Sequence, residues 1–221
     1  FADIIVRDVV HEEVSLLRHK RLHGTIGSAL EELYSDKVDE HLGELAYHFL
    51  EGGDKDRALD YFLKAGERAE NVYAHGEATS YFQSALGLLE GQGERLRERG
   101  LILERLGDIK RLVGEYGACM KYWNEALPLW VQLREKERIA GVHRKIAGVL
   151  WDNIGDLHKA KEHQTEALQI LETEPKGIEL ASLYEDMARR GTGDLAKDLS
   201  LAEKALELAT ELNAHEVMAS S

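Results

Sequence analysis

A single cysteine, Cys119, among 221 residues excludes an internal disulfide and a zinc site built on thiolates. Proline is almost absent, with only Pro128 and Pro175, so little in the chain interrupts a helix. No apolar run approaches the roughly 20 residues that a membrane span requires, and the opening stretch FADIIVRDVV is amphipathic rather than export-like. The cytoplasm is the expected compartment. Positive charge is also in deficit: 28 Lys and Arg against 41 Asp and Glu give 28 − 41 = −13. Such a balance argues against binding nucleic acid or a membrane surface through the chain as a whole. Alternating β-branched runs are missing, as are G-x-x-x-x-G-K-[ST] and H-E-x-x-H. Neither a phosphate-cradling loop nor a helical zinc-protease motif is therefore encoded. The chain opens on Phe1 rather than Met, which suggests a piece of a longer protein.

What is present is a helical period, apolar residues at intervals of three and four, sustained through nearly every stretch between glycines. It is also self-similar. Offsets of 0, 4, 7, 8 and 11 select Ala58, Phe62, Ala65, Gly66 and Ala69, and the pattern recurs from Ala78, Cys119, Ala160 and Asp198. The later starts are separated by 119 − 78 = 41, 160 − 119 = 41 and 198 − 160 = 38 residues, so the repeating unit is a helical hairpin of about 40. Five residues before four of the starts stand Gly53, Gly114, Gly155 and Gly193, where the chain must reverse; Tyr73 takes that place before Ala78. Seven residues before three of these turns stand Ala46, Gly107 and Gly148, small enough for a partner helix to approach, whereas Asp186 breaks this rule. These features predict an all-α fold, a right-handed superhelix of about five stacked hairpins with a concave face, preceded by one or two extra helices. Pro128 falls inside one of the helices and is expected to kink it.

The stretches LAYHFLEGGDKDRALDYFLKA, LGDIKRLVGEYGACMKYWNEAL and AGVLWDNIGDLHKAKEHQTEAL resemble tetratricopeptide repeats, with Lys110, Cys119 and Asp198 as departures. A narrower resemblance lies at the start. FADIIVRDVVHEEVSLLRHKRLHGTIGSALEELY, with LAYHF and KAGERA after it, is similar to the segment that follows the winged-helix region of signal-transduction ATPases with numerous domains. That family includes activators of the maltose-regulon type and ATPases attached to adenylate cyclases. The resemblance implies that residues 1–35 form a junction to an upstream nucleotide-binding domain in cis, and that residues 36–221 form a tetratricopeptide-like array that senses a ligand or protein.

The repeat positions that line the concave face of such an array fall on Tyr47 and Leu50, then Glu104, Asp108 and Arg111, then Lys145, Val149, Asp152 and Asn153. Their mixture of charges, amide and aromatic suits a protein or peptide partner, or a small-molecule inducer. The basic cluster with Arg18, Lys20 and Arg21 reads either as a solvated helix face or, following the resemblance, as a docking surface for the upstream domain. Of ten histidines, His19 and His23 have a spacing that can hold a metal from one helix face, but no Cys or carboxylate joins them at a fitting interval, and His158 and His163, five apart, diverge on a helix. His48 is expected to pack inside the first hairpin. Cys119 falls on a core offset with no base beside it. Gly191-Thr192-Gly193-Asp194-Leu195-Ala196 fits a loose dinucleotide fingerprint, but it follows a helical pattern and reads as a turn. No catalytic residue, metal site or cofactor is expected. The function implied is a sensing or interaction module of a signalling ATPase or transcription regulator; the alternative is a stand-alone scaffold that bridges proteins.

Overall fold

The computed structural model describes residues 2–91 and 93–219, with side chains for 15–91 and 93–213. The amphipathic side-chain pattern of FADIIVRDVV thus lies outside the described side chains. Among the described residues all regular structure is helical. The helices group into two compact units, one ending at Arg95 and one beginning at Leu96.

The first unit contains α1 (Ala2–Leu33), α2 (Leu42–Gly52), α3 (Lys55–Asn71) and α4 (His75–Leu88), with a 3-10 turn over Ser35–Glu40. α2 and α3 form a hairpin because Gly53 takes φ 85°, a left-handed conformation that ends the helix, and the Asp54 carboxylate then accepts from the Arg57 N–H at 3.1 Å to start the next. Leu45, Ala46 and Phe49 of α2 are fully buried, as are Ala58 of α3 and Ala78 and Phe82 of α4. α1 is a single long helix whose end docks on this hairpin. The Tyr61 hydroxyl donates to Glu31, and Arg57 reaches Glu31 at 3.3 Å while its guanidinium lies 4.0 Å over the Phe49 ring. Gly24 and Gly52 bring the backbones of α1 and α2 together; a Cβ at Gly52 would stand 2.8 Å from the Gly24 nitrogen.

In the second unit, α5 (Leu96–Leu112) pairs with α6 (Tyr116–Leu133), α7 (Lys136–Val149) with α8 (Leu157–Leu171), and α9 (Ile178–Arg190) with α10 (Leu195–Ala219). First helices start 136 − 96 = 40 and 178 − 136 = 42 residues apart, the repeat length read from the sequence. α7 ends in a π-helical turn, Leu150–Ile154, closed by Gly155 at φ 83°. α6 runs through Pro128 without a break; Pro128 and Asn124, whose carbonyl loses its helical partner, both lie on the exposed side, where water can serve that carbonyl. Cys119, Trp123, Ala126 and Trp130 of α6 are fully buried, and large side chains of this kind each contribute on the order of 1.5–3 kcal/mol of burial.

Two expectations are corrected. The five copies of the offset pattern fall on α3, α4, α6, α8 and α10, but α4 follows α3 as a single helix. Four hairpins and one intervening helix are described instead of five hairpins. The last copy also fails on α10: Ala202, Leu206 and Ala209 are exposed, while Leu201 is buried and Leu208 joins the core with Leu183 and Leu180 of α9. In α8 the corresponding residues Ala167 and Leu171 join the core that holds those same α9 leucines. No described helix covers α10 in this way. Asp198, in the usual Ala place, instead closes the turn before its own helix, accepting from the Thr192 N–H and Oγ1, each at 2.7 Å.

Candidate binding groove

The first helices of the three hairpins in the second unit, α5, α7 and α9, line a groove of about 360 Å³. Six of the residues expected to face a partner meet in it: Asp108, Arg111, Lys145, Val149, Asp152 and Asn153. Glu104 adjoins them, nearly buried in a neighbouring groove with Arg97, Arg138 and Glu179. Tyr47 and Leu50 belong to α2 of the first unit. Tyr47 is 51% exposed, with its ring edge-on to His23 and His48 at 5.6 Å each, and Leu50 is half-buried.

The groove is wired by ion pairs between successive first helices. Lys145 Nζ donates to Glu104 at 3.1 Å and to Asp108 at 2.8 Å, tying α7 to α5. Burial pulls the Lys145 amine down, but Asp108 and then Glu104 outweigh it and hold its pKa above the ordinary lysine value. Arg144 donates to Glu179 and Asp186, each at 3.0 Å, tying α7 to α9. Arg190 grips Asp152 through two bonds of 3.2 and 2.9 Å, and these bonds hold the Asp152 carboxyl below the usual carboxylate range.

Asp186, the residue that broke the small-residue rule, is the centre of this network. Its carboxylate lies within 3.1 Å of Arg144, Arg189 and Arg190. Gly148 explains how Arg190 fits: a Cβ there would stand 3.0 Å from the Arg190 Nη2. The small residue thus admits an arginine of the next hairpin. Arg144, Asp186, Arg189 and Arg190 went unrecognised as groove residues in the sequence. Only Asp186 carried a signal, its departure from the pattern. With them the groove holds five cations, Arg111, Arg144, Lys145, Arg189 and Arg190, against the three carboxylates Asp108, Asp152 and Asp186, while Glu104 and Glu179 at its edge pair with Lys145 and Arg144 and bring the charges to 5 − 5 = 0.

Other candidates are placed as follows. Arg18, Lys20 and Arg21 are exposed on α1, next to exposed Leu16, Leu17 and Leu22. Cys119 is buried beneath α5, and burial pushes its thiol up to about 12, which removes it as a nucleophile. Gly191 and Gly193, at φ 79° and 93°, form the turn between α9 and α10. His48 packs against His23 with ring centroids 4.9 Å apart and the rings tilted by 34°. His158 is exposed and pairs with Glu162 at 3.4 Å, while His163 faces the opposite way, toward His143 of α7. Burial holds both His143 and His163 below the usual histidine pKa. A second groove, about 830 Å³ and mostly apolar, lies between α9 and α10 and includes the exposed Leu195, Leu199 and Leu206.

No family model and no curated protein matches the sequence. Solved structures do. The chain is similar to BtubC (BKLC) from P. vanneervenii at 16% identity and a TM-score of 0.63, over 90% of this chain and 92% of that one. It is similar to aspartyl phosphate phosphatase F from Bacillus subtilis at 14% identity and a TM-score of 0.64, over 92% of this chain but 52% of that one. It is also similar to a kinesin light chain of nearly identical TPR-like repeats from Podosopora anserina, at 10% identity and a TM-score of 0.57, over 90% and 95% of the two chains. The fold is therefore that of a tetratricopeptide-like helical repeat. No helix among the described residues is long and apolar enough to cross a membrane.

Proposed function

We propose that this chain is an interaction module, without a catalytic step of its own, whose groove on α5, α7 and α9 binds an acidic segment of a protein partner. The observation that carries this reading is Arg111, an exposed cation of the groove with no ion-pair partner among the described residues, set in a chain of net charge −13. Cations held in place by a fixed network make a preorganised surface for carboxylates. Arg189, whose side chain is 56% exposed, adds a second accessible guanidinium at the same groove. A small-molecule inducer that carries carboxylates would use the same groups.

The test is a selection of random dodecapeptides against the purified chain. Enrichment of Asp and Glu, lost when Arg111→Glu and Arg189→Glu are combined, is the expected result. Selection of basic or purely apolar sequences, or binding indifferent to the double variant, would reject the reading.

The wider setting that the sequence resemblance supports is a cytoplasmic signalling ATPase or transcription regulator, with a nucleotide-binding domain upstream in cis docked on Arg18, Lys20 and Arg21. A switch of that kind works only if the groove's ligand binds two arrangements with different affinity. In a chain extended upstream, neutralising those three residues should weaken the docking. Equal docking in their absence would sink the docking role of this cluster; the alternative, a stand-alone scaffold, has no ATPase attached at all.

A further inference from the structure

A second group of polar side chains meets where α7 packs on α8. His143 Nδ1 lies 2.8 Å from His163 Nδ1 and 2.8 Å from Glu166 Oε2, and one donor atom of each residue lies within 4.8 Å of one from each of the others. The local fold explains the meeting. His163 and Glu166 are three apart on α8 and share a face, and His143 comes from the facing side of α7. The cluster sits at the edge of the helix pair, since the His143 side chain is 10% exposed and that of Glu166 55%. Solvent therefore reaches its carboxylate end.

No tautomer of the two neutral rings satisfies all three atoms. If His143 Nδ1 carries the proton, the His163 nitrogen and the Glu166 oxygen compete for it. If His163 Nδ1 carries it, the lone pair of His143 Nδ1 is turned against the carboxylate at 2.8 Å. If both carry one, the two N–H groups oppose each other at 2.8 Å. Three lone pairs converge on a space that one proton serves poorly and one dication would serve well. We infer that His143, His163 and Glu166 form a binding site for a divalent transition-metal ion, of which zinc is the representative.

The donor set fits such an ion. Two imidazoles and one carboxylate favour a borderline ion over magnesium or calcium, which take oxygen ligands. Metal–ligand distances of about 2.0–2.2 Å in a tetrahedron put ligand atoms roughly 3.3 Å apart, so each of the two pairs that His143 Nδ1 makes at 2.8 Å needs to open by only about half an ångström. Glu162 adds negative charge near His163, which favours a cation there. Three protein ligands leave a further position for water at the exposed end. A metal here would cross-link the two helices of one hairpin.

The experiment uses the 221-residue chain without a histidine tag. Zinc chloride is titrated into it calorimetrically at pH 7.5, and Co(II) is added in parallel to read the ligand field in the visible spectrum. Saturable binding of one ion and an intense Co(II) spectrum of low coordination number are expected, with no heat from Mg(II). Glu166→Gln lies at the exposed edge and should leave the fold intact, yet weaken zinc by about tenfold or more; His163→Gln should weaken it further. His19→Gln, which removes a member of the i, i+4 pair on α1, should change nothing. Absence of saturable zinc binding, affinity unmoved by Glu166→Gln and His163→Gln, or loss of binding in His19→Gln would each overturn the assignment.

Discussion

Gly107 of α5 lies directly against the indole of Trp123 on α6: a Cβ at Gly107 would stand 2.3 Å from the ring Nε1 and 2.4 Å from Cδ1. Trp123 is fully buried, and its ring N–H points to the Glu104 carbonyl at 3.4 Å. The indole cannot retreat without disturbing the core. Gly107→Ala should therefore destabilise the chain by about 1–3 kcal/mol, even though alanine gains roughly 1 kcal/mol of helix propensity over glycine. Gly117→Ala in α6 is the control, since a Cβ there meets nothing within 4 Å. Urea unfolding should show the first variant weakened and the second unchanged or slightly stronger. Equal behaviour would mean that the close approach carries no energetic weight.

Tyr73 takes φ 59° in the turn between α3 and α4, the place that glycine fills in the turns within the hairpins. A left-handed conformation costs an L-residue about 1–2 kcal/mol, and Tyr73 is 81% exposed, so its ring returns little of that. Tyr73→Gly should leave stability unchanged or raise it by up to about 1 kcal/mol after the entropy of the unfolded glycine is subtracted. Thermal unfolding of the variant reads this directly, and a clear loss would show that the tyrosine ring does more than occupy the turn.

Asp186 and Asp152 both pair with Arg190, but their surroundings differ. The Asp186 side chain is 18% exposed and faces three arginines, whereas Asp152 is 39% exposed. Asp186→Ala leaves Arg144 and the nearly buried Arg190 short of charge compensation and should cost about 2–4 kcal/mol. Asp152→Asn, more screened by solvent, should cost at most about 1 kcal/mol. Chemical denaturation of the two variants side by side tests the ranking, and an Asp152 variant that proved the weaker would reverse it.

His23 of α1 lies between His19 and His48, its ring tilted against theirs with centroids 4.3 and 4.9 Å away, and its Nδ1 is buried without a hydrogen-bond partner. Tyr47 meets it edge-on, and Glu51 is the carboxylate that opposes the trend. Desolvation first, then the neighbouring histidines, lower its pKa from 6.5. The folded state thus binds fewer protons here than the unfolded chain. The contribution is present above about pH 6.5 and is lost as pH falls below it toward the folded pKa. Wild type should lose more thermal stability than His23→Gln between pH 7.5 and 5.5. Parallel pH curves for the two proteins would exclude the histidine cluster as the source.

Much of this molecule follows from spacing alone. The repeat of about 40 residues, the glycine turns, the buried faces of α3, α6 and α8 and the Gly107 contact are local or periodic properties, and a helix of 3.6 residues per turn converts sequence intervals into faces without reference to the rest of the chain. Six of the groove residues were legible for the same reason, since each occupies an equivalent place on a first helix.

What the tertiary structure decided depends on pairs far apart in sequence. Asp186 reads as an irregularity until Arg144, 42 residues away, and Arg190 are seen to converge on it. His163 looks like a surface histidine until α7 brings His143 within 2.8 Å of it. The exposed stripe on α10 carries the same offsets as buried residues elsewhere, and only the neighbouring helix distinguishes the two cases. Periodicity fixes which way a side chain points along its own helix; which charge or ring it meets there is set by the packing of one hairpin on the next.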